Sequence, residues 1–155
     1  MSHRILGLAR RVTTLSFAEW RDLLQAQWSL LVAHAIVRSR PTGSLAIPLG
    51  RIPELTDAAR LAEAEAVARA VSHVARFGPV RARCLVRAVA LSRMLRARGI
   101  AGSVVRIGVR RTASEFDAHA WVELGGVALG EAEAHVRSFA ALTTVELAPE
   151  RAERV

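Results

Sequence analysis

The sequence contains no lysine, a single cysteine and few aromatic residues. With Cys84 as the only thiol, no intrachain disulfide can form, so the 155-residue chain has to rest on a hydrophobic core, and a reducing, cytoplasmic setting is expected. Without lysine, arginine carries all of the basic side-chain charge. A net charge of +8 built this way reflects a compositional bias as readily as selection for an anionic partner. There is no RNA-recognition consensus, zinc-ligand pattern or glycine-rich phosphate loop. A nucleic-acid reading therefore rests on charge alone; no nucleic-acid partner, cofactor or metal is expected. Long apolar runs are missing too. The most apolar stretch, Trp28 to Val37, contains His34 and falls well short of the roughly 20 residues of a membrane span. The segment Met1 to Arg11 has too short an apolar core for a secretory signal.

What is present belongs to one globular domain of α+β class: 52% hydrophobic and 23% charged residues, at a length that can bury a real core. Ser16-Phe17-Ala18-Glu19 matches a capping box, so a helix is predicted over about 17–38. Phe17, Trp20, Leu24, Trp28, Leu31 and Ala35 recur at spacings of three and four, an apolar stripe expected to pack onto the domain. Arg38 to Glu54, punctuated by Pro41, Gly43, Pro48, Gly50 and Pro53, reads as an ordered loop or irregular crossing. A second helix is expected from about Asp57, with Ala64, Val67, Val71 and Val74 on one face and a stop at Phe77-Gly78-Pro79. A third begins at Cys84 and closes on Gly99, with Leu85, Ala88, Leu91, Met94 and Leu95 on one face.

Beyond Gly99 the period changes to that of strands: Ser103 to Arg110, Phe116 to Leu124, and a return strand from Val127 after the Gly125-Gly126 turn. In the middle strand Asp117, His119, Trp121 and Glu123 share a polar face, and Ala118, Ala120, Val122 and Leu124 an apolar one.

Two residues carry the chemical signal. A helix N-terminus favours a thiolate through its unpaired N–H groups, and the same donors can stabilise an oxyanion. Cys84 is placed for that effect, although a lone cysteine also suits a core as a small hydrophobe. His119, among polar neighbours, is the candidate general base. His3, His34, His73 and His135 have no comparable setting. A carboxylate is needed to orient the imidazole, and hairpin register selects it. A two-residue loop sets His119 against Ala132 and turns Glu131 to the opposite side. A three-residue loop with a glycine bulge pairs His119 directly with Glu131. The second register makes Glu131 the choice, with Glu133 and Asp117 as alternatives.

Taken in order, Arg83-Cys84-Leu85-Val86-Arg87-Ala88-Val89-Ala90-Leu91, Met94 to Ile100, Ile107-Gly108-Val109-Arg110, Phe116-Asp117-Ala118-His119-Ala120-Trp121-Val122-Glu123 and Gly126 to Glu131, continuing to Phe139, resemble the lasso-peptide biosynthesis B proteins. These are leader peptidases of the transglutaminase-like, papain-related cysteine-protease superfamily. The resemblance covers about 60–140 well and the N-terminal helices loosely. It implies N-terminal helices packed on a transglutaminase-like protease core over 56–148; by position and charge the helix and loop of 1–55 are expected to be a docking region and the charged residues of 149–155 a frayed tail, in one compact domain. It implies Cys84 as nucleophile, His119 as base and then acid, and a third residue at Glu131, where the family pattern carries aspartate. It further implies cleavage of a precursor peptide between leader and core. With the first helix starting near residue 17 the chain resembles the stand-alone form, which implies a separate leader-recognition protein and a lasso cyclase as partners. The long N-terminal helix and the arginines are the expected docking surface. The competing readings are a transglutaminase-like acyl transferase or amidase on the same triad, and a non-catalytic basic binding module.

Overall fold

The computed structural model describes residues 16–39, 46–48, 57–79, 82–111 and 115–147. Three helices pack together and the third of them lies against an antiparallel sheet, the α+β arrangement the sequence predicts. Helix α1 spans Phe17–Ser39, and its capping box closes in both directions. The Ser16 amide donates to Glu19 Oε2 at 2.7 Å and the Glu19 amide to Ser16 Oγ at 3.3 Å. Strand β1 (Ala46–Pro48) follows. Helix α2 (Ala58–Phe77) is capped by the Asp57 carboxylate, which accepts from the Ala59 amide. Helix α3 runs Cys84–Ala97. Gly99, at φ 69°, ends it in a Schellman turn: the Ile100 amide reaches back to the Leu95 carbonyl and that of Gly99 to Arg96, while Leu95 and Ile100 are both buried.

Strands β2 (Ser103–Arg111), β3 (Phe116–Leu124) and β4 (Val127–Ala128), the short helix α4 (Glu133–Arg137) and strand β5 (Ala140–Leu147) complete the described chain. The sheet order is β1-β5-β2-β3-β4. The Pro-rich segment before α2 thus contains a strand, and among the described residues it is an edge strand paired with β5, a position that tolerates a proline such as Pro48. Residues 40–45 and 49–54 of that segment and the tail at 149–155 lie outside the described residues, and Arg38 and Ser39 end α1.

The core sits between helices and sheet. Leu30 of α1, Val67 and Val71 of α2, Met94 and Leu95 of α3, and Val105, Val122 and Leu124 of the sheet belong to one buried cluster. Alanines at 26, 33, 64, 68, 88 and 90 line the same cluster and let the helices approach closely. Ser29 donates across the α1–α3 contact to the Ala90 carbonyl at 3.0 Å, and Arg98 reaches Asp22 at 2.6 Å. Residues on both sides of position 55 therefore share one core.

One expectation fails in α1. The stripe Phe17, Trp20, Leu24, Trp28 and Leu31 faces outward, with Phe17 at 87%, Leu24 at 66% and Trp28 at 67% exposure, and Ala35 is exposed with it. The helix buries the narrower row Ala26, Ser29, Leu30 and Ala33 instead. Small side chains win that face because α2 and α3 press close, leaving no room for two indoles. Among the described residues no helix is long and apolar enough to cross a membrane.

A second cluster, Trp121, Val136 and Phe139, covers the other face of the sheet. It depends on Gly108, which pairs with His119: a Cβ there would lie 2.9 Å from Trp121 Cη2 and 3.0 Å from Phe139 Cβ. Gly108→Val is expected to cost about 1–3 kcal/mol through overpacking, read as a lower urea midpoint by circular dichroism; an unchanged midpoint would show that the indole yields freely.

Candidate active site

Cys84 is the first residue of α3, half-buried and packed against the main core. Arg83, at the N-cap, makes no side-chain capping bond, so no capping side chain competes for the first-turn amides. His119 lies on β3, across from Gly108 of β2, with its ring 5.9 Å from that of Trp121, 5.3 Å from Phe139 and 5.1 Å from His135.

The hairpin takes the two-residue register, Leu124 opposite Val127 and Glu123 opposite Ala128, not the three-residue loop preferred above. Glu131 nevertheless meets His119. The return strand ends at Ala128; the Leu129 amide still bonds to the Val122 carbonyl, and then Gly130, at φ 69°, turns the chain. Register arithmetic stops applying where the strand stops, and the turn brings Glu131 Oε1 to 3.6 Å from His119 Nε2, just beyond hydrogen-bond length. Both side chains are largely buried, at 14% and 16% exposure. The other two candidates have their own cations: Asp117 pairs with Arg110 at 2.9 Å, and Glu133 with Arg137 within α4.

A residue the sequence reading passed over holds this carboxylate. Arg87, one turn after Cys84 on α3, donates to Glu131 Oε1 at 3.0 Å and stands 3.5 Å from Ser72 Oγ. Its i+3 spacing from Cys84 was the available signal, since such pairs share a helix face. His135 was also passed over; it packs edge-on to His119 from α4. The structure thus brings His119 and Glu131 together and ties them to α3 through Arg87. Cys84 stands one turn away and lies outside the His119, Glu131 and His135 group.

Burial pushes the His119 imidazole below the ordinary histidine range. Glu131 pulls it up, His135 and Arg87 lower it further, and Asp117 opposes them. The ring is therefore neutral at neutral pH. With Nε2 turned toward the carboxylate, Nδ1 is the nitrogen left to exchange a proton.

The sequence profile of the transglutaminase-like superfamily matches residues 27–144. The chain belongs to the transglutaminase-like superfamily. That superfamily includes cysteine proteases and acyl transferases. No curated protein and no solved structure matches the chain. The superfamily match begins at residue 27, within α1, and ends within β5.

Arg87→Met removes a positive charge beside the imidazole and leaves Glu131 to His119 alone, so the His119 titration midpoint should rise, measured by NMR of the ring protons. No movement would show that the carboxylate and the ring are uncoupled. Stability carries the same sign information. Because the folded ring resists protonation, the unfolded chain binds more protons as pH falls through about 6.5. Stability should decline over that window, and His119→Gln should flatten the decline.

Proposed function

We propose that the chain is a cysteine peptidase that removes the leader from a ribosomally made lasso-peptide precursor. The observation that carries this reading is that one helix contributes at both ends of the constellation. Cys84 opens α3, and one turn on Arg87 holds the carboxylate that faces His119. Membership of a superfamily that holds cysteine proteases supports it.

In this mechanism His119 takes the Cys84 proton and the thiolate attacks the carbonyl carbon of the bond between leader and core. The first-turn amides of α3 stabilise the oxyanion. His119 returns the proton to the leaving amine, which frees the core peptide and leaves the leader as a thioester on Cys84. Water, giving its proton to His119, then attacks the thioester; the leader departs with a new carboxylate and the thiol is restored. Glu131 holds the ring in the productive orientation as a positioning residue, and Arg87 holds Glu131.

Cys84→Ala should abolish leader cleavage, by about 10³-fold or more, in a chain that stays folded. His119→Ala should be nearly as severe and Glu131→Gln milder. Full activity in a folded Cys84→Ala protein would sink the peptidase reading. Mass spectrometry on the same samples separates hydrolysis, which leaves two peptides, from acyl transfer, which leaves a cross-link.

The same reading gives the outward stripe of α1 an occupant, the separate leader-recognition protein, with the cyclase acting on the released core. Exposed apolar patches of this kind mark interaction surfaces, and Arg21 and Arg38 on the same helix add positive charge. Leu24→Asp with Trp28→Asp should abolish capture of the recognition protein in a pull-down, whereas undiminished capture would exclude this face.

A further inference from the structure

We infer that His119, Glu131 and His135 form a binding site for a divalent transition metal, zinc above all, and that the metal shuts the proposed active site by taking its base. One ligand atom from each of the three residues lies within 4.8 Å of the others. Two imidazoles and a carboxylate are a donor set that suits zinc, whose bonds of about 2.0–2.1 Å in tetrahedral geometry set neighbouring donors roughly 3.3 Å apart. The His119 Nε2 to Glu131 Oε1 separation, 3.6 Å, is already near that edge. His135 is exposed, on a short helix, and can swing the remaining distance.

A second observation points the same way. His119 Nε2 is buried and has no hydrogen-bond partner among the described residues. A buried nitrogen left unpaired costs about 1–3 kcal/mol, and a metal would satisfy it directly. Arg87 engages the same oxygen, Oε1, that faces Nε2, so the carboxylate has to turn its second oxygen toward a bound metal while Oε1 stays on Arg87. Its charge weakens the site without closing it, which favours a reversible, regulatory affinity. Exposure of His135 gives the ion its entry from solvent. Once Nε2 is coordinated, the ring is fixed and Glu131 can no longer orient it, so the proton transfers assigned to His119 stop.

The site itself does not depend on the peptidase reading; its inhibitory consequence does. Cobalt(II) titration of the purified chain tests the site by visible absorption, a readout independent of activity. We expect one cobalt per chain, displaced by zinc, with d–d bands of tetrahedral or five-coordinate geometry. His135→Ala should weaken binding by more than about tenfold, and Cys84→Ala should bind as the parent does. In leader cleavage, zinc should suppress the parent, and His135→Ala should need at least about tenfold more zinc for the same suppression. Absence of saturable cobalt binding, equal affinity in His135→Ala, or a thiolate-to-cobalt band lost in Cys84→Ala would each overturn the site. Cobalt binding that follows this pattern in a chain without peptidase activity would uphold the site and remove the peptidase reading.

Discussion

Helix α3 is the constraint on which the rest of the structure depends. It is packed by α1 and α2 on one side and by β2 and β3 on the other, and it is buried almost all round: Val86, Ala88, Val89, Ala90, Leu91, Ser92, Met94 and Leu95 are all inside. A helix held from every side has no freedom to rotate or slide, so the residues of its first turns are fixed relative to the sheet. Cys84 and Arg87 sit on those turns. The Schellman turn at the other end, locked by Leu95 and Ile100, pins the axis lengthwise. The proposed site, drawn from a helix start and a strand, rests on a central helix packed on both sides.

The same burial explains which parts of the fold could be read from the residues and which could not. Helices α2 and α3 were legible because caps and period agreed: Asp57 before an alanine-rich run, Gly99 after a cysteine-led one. Strands β2 and β3 were legible from alternation. Helix α1 was legible in extent but not in orientation, because hydrophobicity identifies an apolar stripe without saying whether the partner helices leave room for it. Three-residue spacing of large side chains looked like a core face; the close approach of α2 and α3 selected the row of Ala26, Ser29, Leu30 and Ala33. Strand β5, central in the sheet, went unread although Leu142-Thr143-Thr144-Val145 is rich in β-branched residues. It lacks a turn signal before it, since α4 leads into it almost directly.

At the site, the pairing of His119 with Glu131 was anticipated through a hairpin register that the chain does not adopt. A register rule extends only as far as the ladder, and this ladder has two rungs. What places Glu131 is the left-handed turn at Gly130, where a Cβ would meet Ala68 Cβ at 3.2 Å and Ser72 Oγ at 3.3 Å. The turn is therefore specified twice, by backbone angle and by the closeness of α2, and a side chain at 130 would disturb both. Arg87 carried only a weak signal, its i+3 spacing from Cys84, in a protein with many arginines, and the contact of His135 with His119 depends on α4, which was not read from the sequence.

The glutamate at position 131, where the resemblance leads one to expect aspartate, follows from this geometry. An aspartate on a continuing strand would sit beside the histidine at ladder distance and serve it alone. Here the strand stops early, and the carboxylate has to span from the turn at Gly130 to an arginine on α3 and a histidine on β3. The extra methylene of glutamate supplies that reach. Its consequence is electrostatic: a carboxylate shared with Arg87 attracts the imidazolium less than a dedicated one, so burial decides the balance and His119 stays neutral. A neutral imidazole can take up a proton at Nδ1, while its buried Nε2, without a hydrogen-bond partner among the described residues, is the atom a metal would meet. Burial thus keeps the ring neutral, the form that takes up a proton and the form that a metal binds.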